Sequence, residues 1–133
     1  MAKPLLITLL ILILILVVKT LGCPPADDYP PLARVTGRVT LDGKPLPAGL
    51  IVLFKPKLGR PAAGNTDAEG YYDMQYRKRR GAILGTNHVS LQWPTGFQGA
   101  VGFPAAYGGE SDLHVEVTKD GKNVFNIEMS SKD

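Results

Sequence analysis

Val35-Thr36-Gly37-Arg38-Val39-Thr40-Leu41-Asp42-Gly43-Lys44-Pro45-Leu46 is the stretch that decides the fold class. Extended back to Ala33, it has a period of two. Ala33, Val35, Gly37, Val39 and Leu41 share one face, and Arg34, Thr36, Arg38 and Thr40 share the other. That alternation predicts a half-buried strand. Asp42-Gly43 then supplies the positive φ that a tight hairpin needs, so the chain reverses there.

The same pattern recurs along the chain. Gly49–Phe54 is apolar on both parities, which predicts a central strand. Pro56 to Gly64 reads as turn-rich, and Thr66–Gly70 as a second turn. Tyr71–Tyr76 reads as a strand with Tyr72, Met74 and Tyr76 inward. Arg77–Arg80 is a basic turn, followed by Gly81–Gly85. His88–Trp93 places Val89, Leu91 and Trp93 inward, and Pro94–Gly109 is a long loop with five glycines. Leu113–Val117 and Val124–Met129 alternate again, around a turn at Lys119–Lys122. No segment holds a period of 3.6 over ten residues. Six or seven short strands at near-regular spacing predict an all-β, antiparallel sandwich or barrel.

Composition sets the limits. The chain has 133 residues, one domain's worth, a net charge of +3 and 44% apolar residues. These averages join two unlike parts. Residues 1–23 hold 17 of the 59 apolar residues, and the other 110 are 38% apolar with 13 basic and 12 acidic side chains. A net charge of +1 disfavours a nucleic-acid binder driven by overall charge. Gly and Pro make up 22% of that remainder, so the expected domain is turn-rich and thinly cored. A single cysteine excludes an intramolecular disulfide and a multi-thiolate zinc site.

Pro4–Val18 carries 13 large aliphatics in 15 positions. As a helix it would span roughly 22 Å, which suits the apolar core of an export signal better than a membrane-spanning helix. Gly22-Cys23 follows, and resembles the lipobox of bacterial lipoprotein signals, in which the cysteine is acylated and becomes the mature N-terminus. Thr20 and Leu21 depart from that pattern by one position, and Lys19 is unusual within it. The resemblance marks residues 1–23 as a lipoprotein-type signal segment with Cys23 as the lipidation site. An uncleaved anchor and ordinary cleaved secretion are the other readings. All three place the domain outside the cytoplasm. Residues 24–33, with four prolines in Pro24–Leu32, read as a semi-rigid linker.

Taken in order, Val35-x-Gly37-x-Val39-x-x-Asp42-Gly43-Lys44-Pro45-Leu46-Pro47, Val52-x-Phe54 and Thr66-Asp67-x-x-Gly70-Tyr71 resemble the carboxypeptidase regulatory-like domain. Gly81-Ala82-x-x-Gly85, Phe103-Pro104-Ala105-x-Tyr107 and the two last strands are similar to small predicted bacterial lipoproteins built on it. The resemblance implies a seven-stranded antiparallel Greek-key β-sandwich of the transthyretin (prealbumin-like) type over residues 34–130, behind an N-terminal hydrophobic signal or anchor helix. It implies location more than activity. Family members usually carry an aromatic where this chain has Asn87, which leaves one edge expected to pack less well.

No catalytic residue, cofactor or metal ligand is expected. G-x-S-x-G, HExxH, a P-loop and GxGxxG are absent from the sequence. His88, His114 and Glu116 fall on outward parities, where two imidazoles and a carboxylate are able to bind a transition metal, but solvated surface side chains are the favoured reading. Arg77, Lys78, Arg79 and Arg80 form the strongest charge feature, either a contact for an anionic surface or a solvated turn that blunts a sheet edge. Trp93, Phe97, Phe103 and Tyr107 flank the Gly-rich loop, either to contact a glycan or protein or to cap the core. The expected function is a non-enzymatic structural or interaction module, exported and membrane-anchored at the bacterial cell envelope, on the outer membrane or periplasmic face. A glycan- or protein-binding domain using loop 93–107 is the first rival, and a transthyretin-like hydrolase the second.

Overall fold

A computed structural model describes residues 3–21 and 29–132. Cys23, and the part of the linker before Tyr29, lie outside the described residues. Helix α1 spans Lys3–Leu21. Its large aliphatics from Leu5 to Ile15 are all exposed, so the helix is apolar around its whole girth. Among the described residues, no helix is long and apolar enough to cross a membrane.

The rest is mostly β-structure. Its strand segments are β1 (Leu32–Ala33), β2 (Thr36–Leu41), β3 (Lys44–Pro45), β4 (Ile51–Pro56), β5 (Ala62–Asn65) and β6 (Tyr71–Asp73). They continue with β7 (Gln75–Tyr76), β8 (Arg79–Arg80), β9 (Ala82–Ile83), β10 (Gly85–Gln92), β11 (His114–Val117) and β12 (Ile127–Met129). One sheet runs β11-β10-β4-β5-β7-β8, antiparallel throughout. In a second, β2 pairs with β12 on one edge and with β6 and β3 on the other. β1 and β9 form a separate short pair.

The hairpin at Asp42-Gly43 forms as expected. Both residues have positive φ, 52° and 80°, which matches the twist of the strands they join. β4 is central, between β5 and β10. One core cluster gathers Val35, Val39, Tyr72, Ile127 and Met129 with Val52, Phe54, Val89, Leu91 and Val117, so both sheets contribute to it. Tyr72, Met74 and Tyr76 are buried, as the alternation demanded.

Three features differ from the sequence reading. The expected strand Tyr71–Tyr76 is divided at Met74 between the two sheets. Met74 instead donates its N–H to Val35 O at 2.9 Å, and its carbonyl accepts from Gly81 N at 2.8 Å. The turn-rich Pro56–Gly64 segment leads into strand β5, whose Gly64 lies against Asp73 O and Met74 Sδ, with no room for a side chain. Pairing is also not antiparallel everywhere, since β12 runs parallel to β2 (Ile127 opposite Val39, Met129 opposite Leu41). The cause is the turn at 118–123, which returns the chain beside the start of β2. There Asn123 O accepts from Thr36 N at 3.0 Å, and the Asn123 side chain closes the turn on Thr118 N and O at 2.9 and 2.8 Å.

These registers give the β-structure two ends. β2 starts, and β4, β7 and β11 finish, at the end where the chain enters at Tyr29–Leu32. The Asp42-Gly43 hairpin, the turn after Asn65 and the 93–112 loop lie at the opposite end.

Candidate functional site

The basic hairpin is built by β7 and β8, with Tyr76 opposite Arg79 and Arg77-Lys78 as the two-residue turn. Arg77 takes a φ of 55°, the left-handed conformation that such a turn requires. All four basic side chains are exposed. The three arginines are organised by aromatic rings and one acid. The Arg79 guanidinium lies 4.3 Å from the Tyr29 ring centroid, and Arg77 lies 5.9 Å from Tyr29 and 6.0 Å from Tyr76. Tyr29 meets Tyr76 edge-on at 6.1 Å. Asp73 Oδ2 pairs with Arg34 at 3.2 Å and approaches Arg80 at 4.0 Å. Such exposed pairs contribute only about 0–1 kcal/mol each. Their effect here is to gather Arg34 and Arg80 at one place.

Sequence reasoning missed Tyr29, because it sits in a Pro-rich run read as spacer. The two Arg-ring contacts place it in the cluster, and no local pattern in the sequence carries that information.

The loop aromatics converge as well, but largely on one another and on the core. Trp93 and Phe97 stack at 4.9 Å with an interplanar angle of 7°. Trp93 Nε1 donates to Val101 O at 2.8 Å, so the indole's only donor is used within the loop. The Phe97 ring lies over Gly49 and Gly99, where any side chain would crowd it. Trp93, Phe103 and Tyr107 are half-buried against the core. Tyr107 closes a single 3₁₀ turn, Ala105–Tyr107.

His88 and His114 do meet, directly opposite each other on β10 and β11, with ring centroids 5.2 Å apart. Their ring nitrogens are partly committed. His88 Nε2 faces Ser111 O, and His114 Nδ1 lies 2.8 Å from Asp112 O, so each carries its proton toward a carbonyl. Glu116 accepts instead from Thr86 Oγ1 at 2.7 Å. Among the described residues, no group of three or more His, Cys, Asp or Glu is arranged to hold a metal ion.

One further concavity, of about 460 Å³, opens between β6 and the 124–126 segment, and Asp67, Tyr71, Tyr72, Asp73 and Asn126 line it. Its polar groups hold the fold. Asp67 Oδ1 accepts from Glu69 N at 3.0 Å and Tyr71 N at 2.9 Å, which fixes the turn. Asn126 Oδ1 accepts from Arg38 N at 3.1 Å, and the Tyr72 hydroxyl donates to Phe125 O. Burial pushes the Tyr72 phenol well above its ordinary value.

No family model, curated protein or solved structure matches the chain.

Proposed function

We propose that the chain is an exported, membrane-anchored, non-enzymatic module of the bacterial cell envelope with a structural or interaction role. Its domain is read as a Greek-key β-sandwich of the carboxypeptidase regulatory-like type. The observation that carries this is the order of parts. A helix apolar around its whole girth precedes Gly22-Cys23, and a β-structured domain with its own core begins a few residues later. A helix of that kind requires lipid or protein around it. Two sheets contributing to one core support the sandwich reading. The non-enzymatic reading is supported by Asp67 and Asn126 in the concavity beside β6, whose side chains are engaged with backbone N–H groups.

Acyl chains on one cysteine suffice for stable anchoring, since each buried CH₂ contributes about 0.8 kcal/mol. Cys23→Ala is expected to abolish acylation, to stall processing of the precursor and to shift the protein between fractions. Intact mass and membrane fractionation of both forms check it. Unchanged processing and membrane retention in the variant sink the lipid-anchor reading.

A further inference from the structure

The charges of the β-structured domain are sorted by end. At the end where the chain enters stand Arg34, Lys55, Lys57, Arg60, the four cations of the 77–80 hairpin and, at the other edge of that sheet, Lys119 and Lys122 on the turn after β11. They account for ten of the 13 basic residues after Cys23. The acids facing them among the described residues are Asp73, Glu116 and Asp120, of which Asp73 is paired with Arg34. The opposite end carries Asp42, Asp67, Glu69, Glu110, Asp112 and Glu128 against Arg38, Lys44 and Lys132. A net charge near +1 for the remainder therefore conceals a strong polarity.

Two more observations concern the positive end. Leu58 is 87% exposed there, beside Lys57 and near Ile83 and Leu84. Tyr29, whose ring the hairpin arginines cover, lies six residues after Cys23. Six extended residues span at most about 20 Å. A domain tethered at Cys23 thus keeps this end, and no other, close to the bilayer.

We infer that the positive end is a docking face for an anionic lipid surface, with the hairpin 77–80 and the 57–60 loop in contact with headgroups and Leu58 entering the interface. The inference rests on the anchored reading above. Tethering supplies a high local concentration, and each basic residue near an anionic surface adds about 1 kcal/mol. Asp27 and Asp28 in the linker oppose part of this attraction. The face holds the domain end-on to the membrane and turns its acidic end outward.

The test uses the full chain reconstituted into phosphatidylcholine vesicles and into vesicles in which a third of the lipid is phosphatidylglycerol. Each lysine is followed by acetylation with a water-soluble reagent and mass spectrometry. Lys57 and Lys78 are expected to react at least about five-fold more slowly on the anionic vesicles, the equivalent of 1 kcal/mol. Lys44 and Lys132, at the other end, are expected to react alike on both. High salt is expected to remove the difference. Arg60→Glu with Arg77→Glu, both exposed turn positions, is expected to remove it as well. Equal reactivity of Lys57 and Lys78 on the two lipids overturns the inference. So does equal protection by inorganic phosphate or by a soluble acidic polysaccharide. Flotation with the pure phosphatidylcholine vesicles reads the anchor by itself, so failure of anchoring is seen separately from failure of the face.

Discussion

Tyr72 joins two strands that the chain makes far apart. Its ring is buried in the core, and its hydroxyl donates to Phe125 O across the concavity. Gly37 lies beneath it, where a Cβ would run into both Phe125 O and the Tyr72 hydroxyl. Tyr72→Phe is expected to cost about 1–2 kcal/mol, because a carbonyl loses its donor. Equilibrium urea unfolding at neutral pH checks this. The pH dependence has a definite sign. The folded phenol is held neutral by burial, whereas the unfolded one ionises near pH 10. This contribution is therefore complete below about pH 10 and declines as pH rises beyond it. The phenylalanine variant should show a shallower alkaline loss than the parent. Gly37→Ala is expected to cost about 1–3 kcal/mol through overpacking, with a double-mutant cycle to Tyr72→Phe that departs from additivity. Asn87 shows why single residues are hard to read. The family resemblance led to the expectation of a less well packed edge there; the side chain is fully buried and its Nδ2 donates to Ile83 O at 2.8 Å and Gly85 O at 3.1 Å. Its Oδ1 is buried without a hydrogen-bond partner among the described residues, and a buried polar side chain of this kind leaves no trace in a hydrophobic pattern.

Strands whose faces alternate were legible as elements in β2, β10 and β11, and β4 was legible as a continuous apolar run. β5 was not, since Ala-Ala-Gly-Asn has little strand propensity and is held by its neighbours on both sides. The division of residues 71–76 was equally invisible, because changing sheets at Met74 preserves the period of two. The pairing direction of β12 depends on the 118–123 turn and not on the strand's own residues. That strand carries a strong expectation. Removing residues 124–133 deletes the buried Ile127 and Met129, the Phe125 ring that meets Phe54 at 6.0 Å, and the outer neighbour of β2. Each fully buried side chain of this size contributes about 1.5–3 kcal/mol. The truncated protein is expected to lose its cooperative thermal transition and its near-UV circular dichroism. A retained transition refutes this account of the core.

Across the whole molecule, the candidate site was legible only in part. The basic run 77–80 is plain in the sequence, but its partners Tyr29, Asp73 and Arg34 are assembled by pairing over long separations. The loop aromatics announce themselves equally well in sequence, and only the stacking of Trp93 on Phe97 and the bond to Val101 display how much of their surface the fold itself uses. Charge polarity escaped altogether, since it arises from strand directions and not from any segment's composition.

The parallel seam between β2 and β12 has a consequence in time. Arg38 and Asn126, bonded across it, are 88 residues apart in the chain. Loop-closure entropy must be met before such a contact stabilises anything, so folds that depend on them form slowly. A polypeptide threaded N-terminus first through a translocation channel, as the proposed export requires, leaves the β12 edge of β2 unpaired until residues 124–129 have emerged. The seam is thus the last of β2's pairings to become available, after β3 and β6 have emerged.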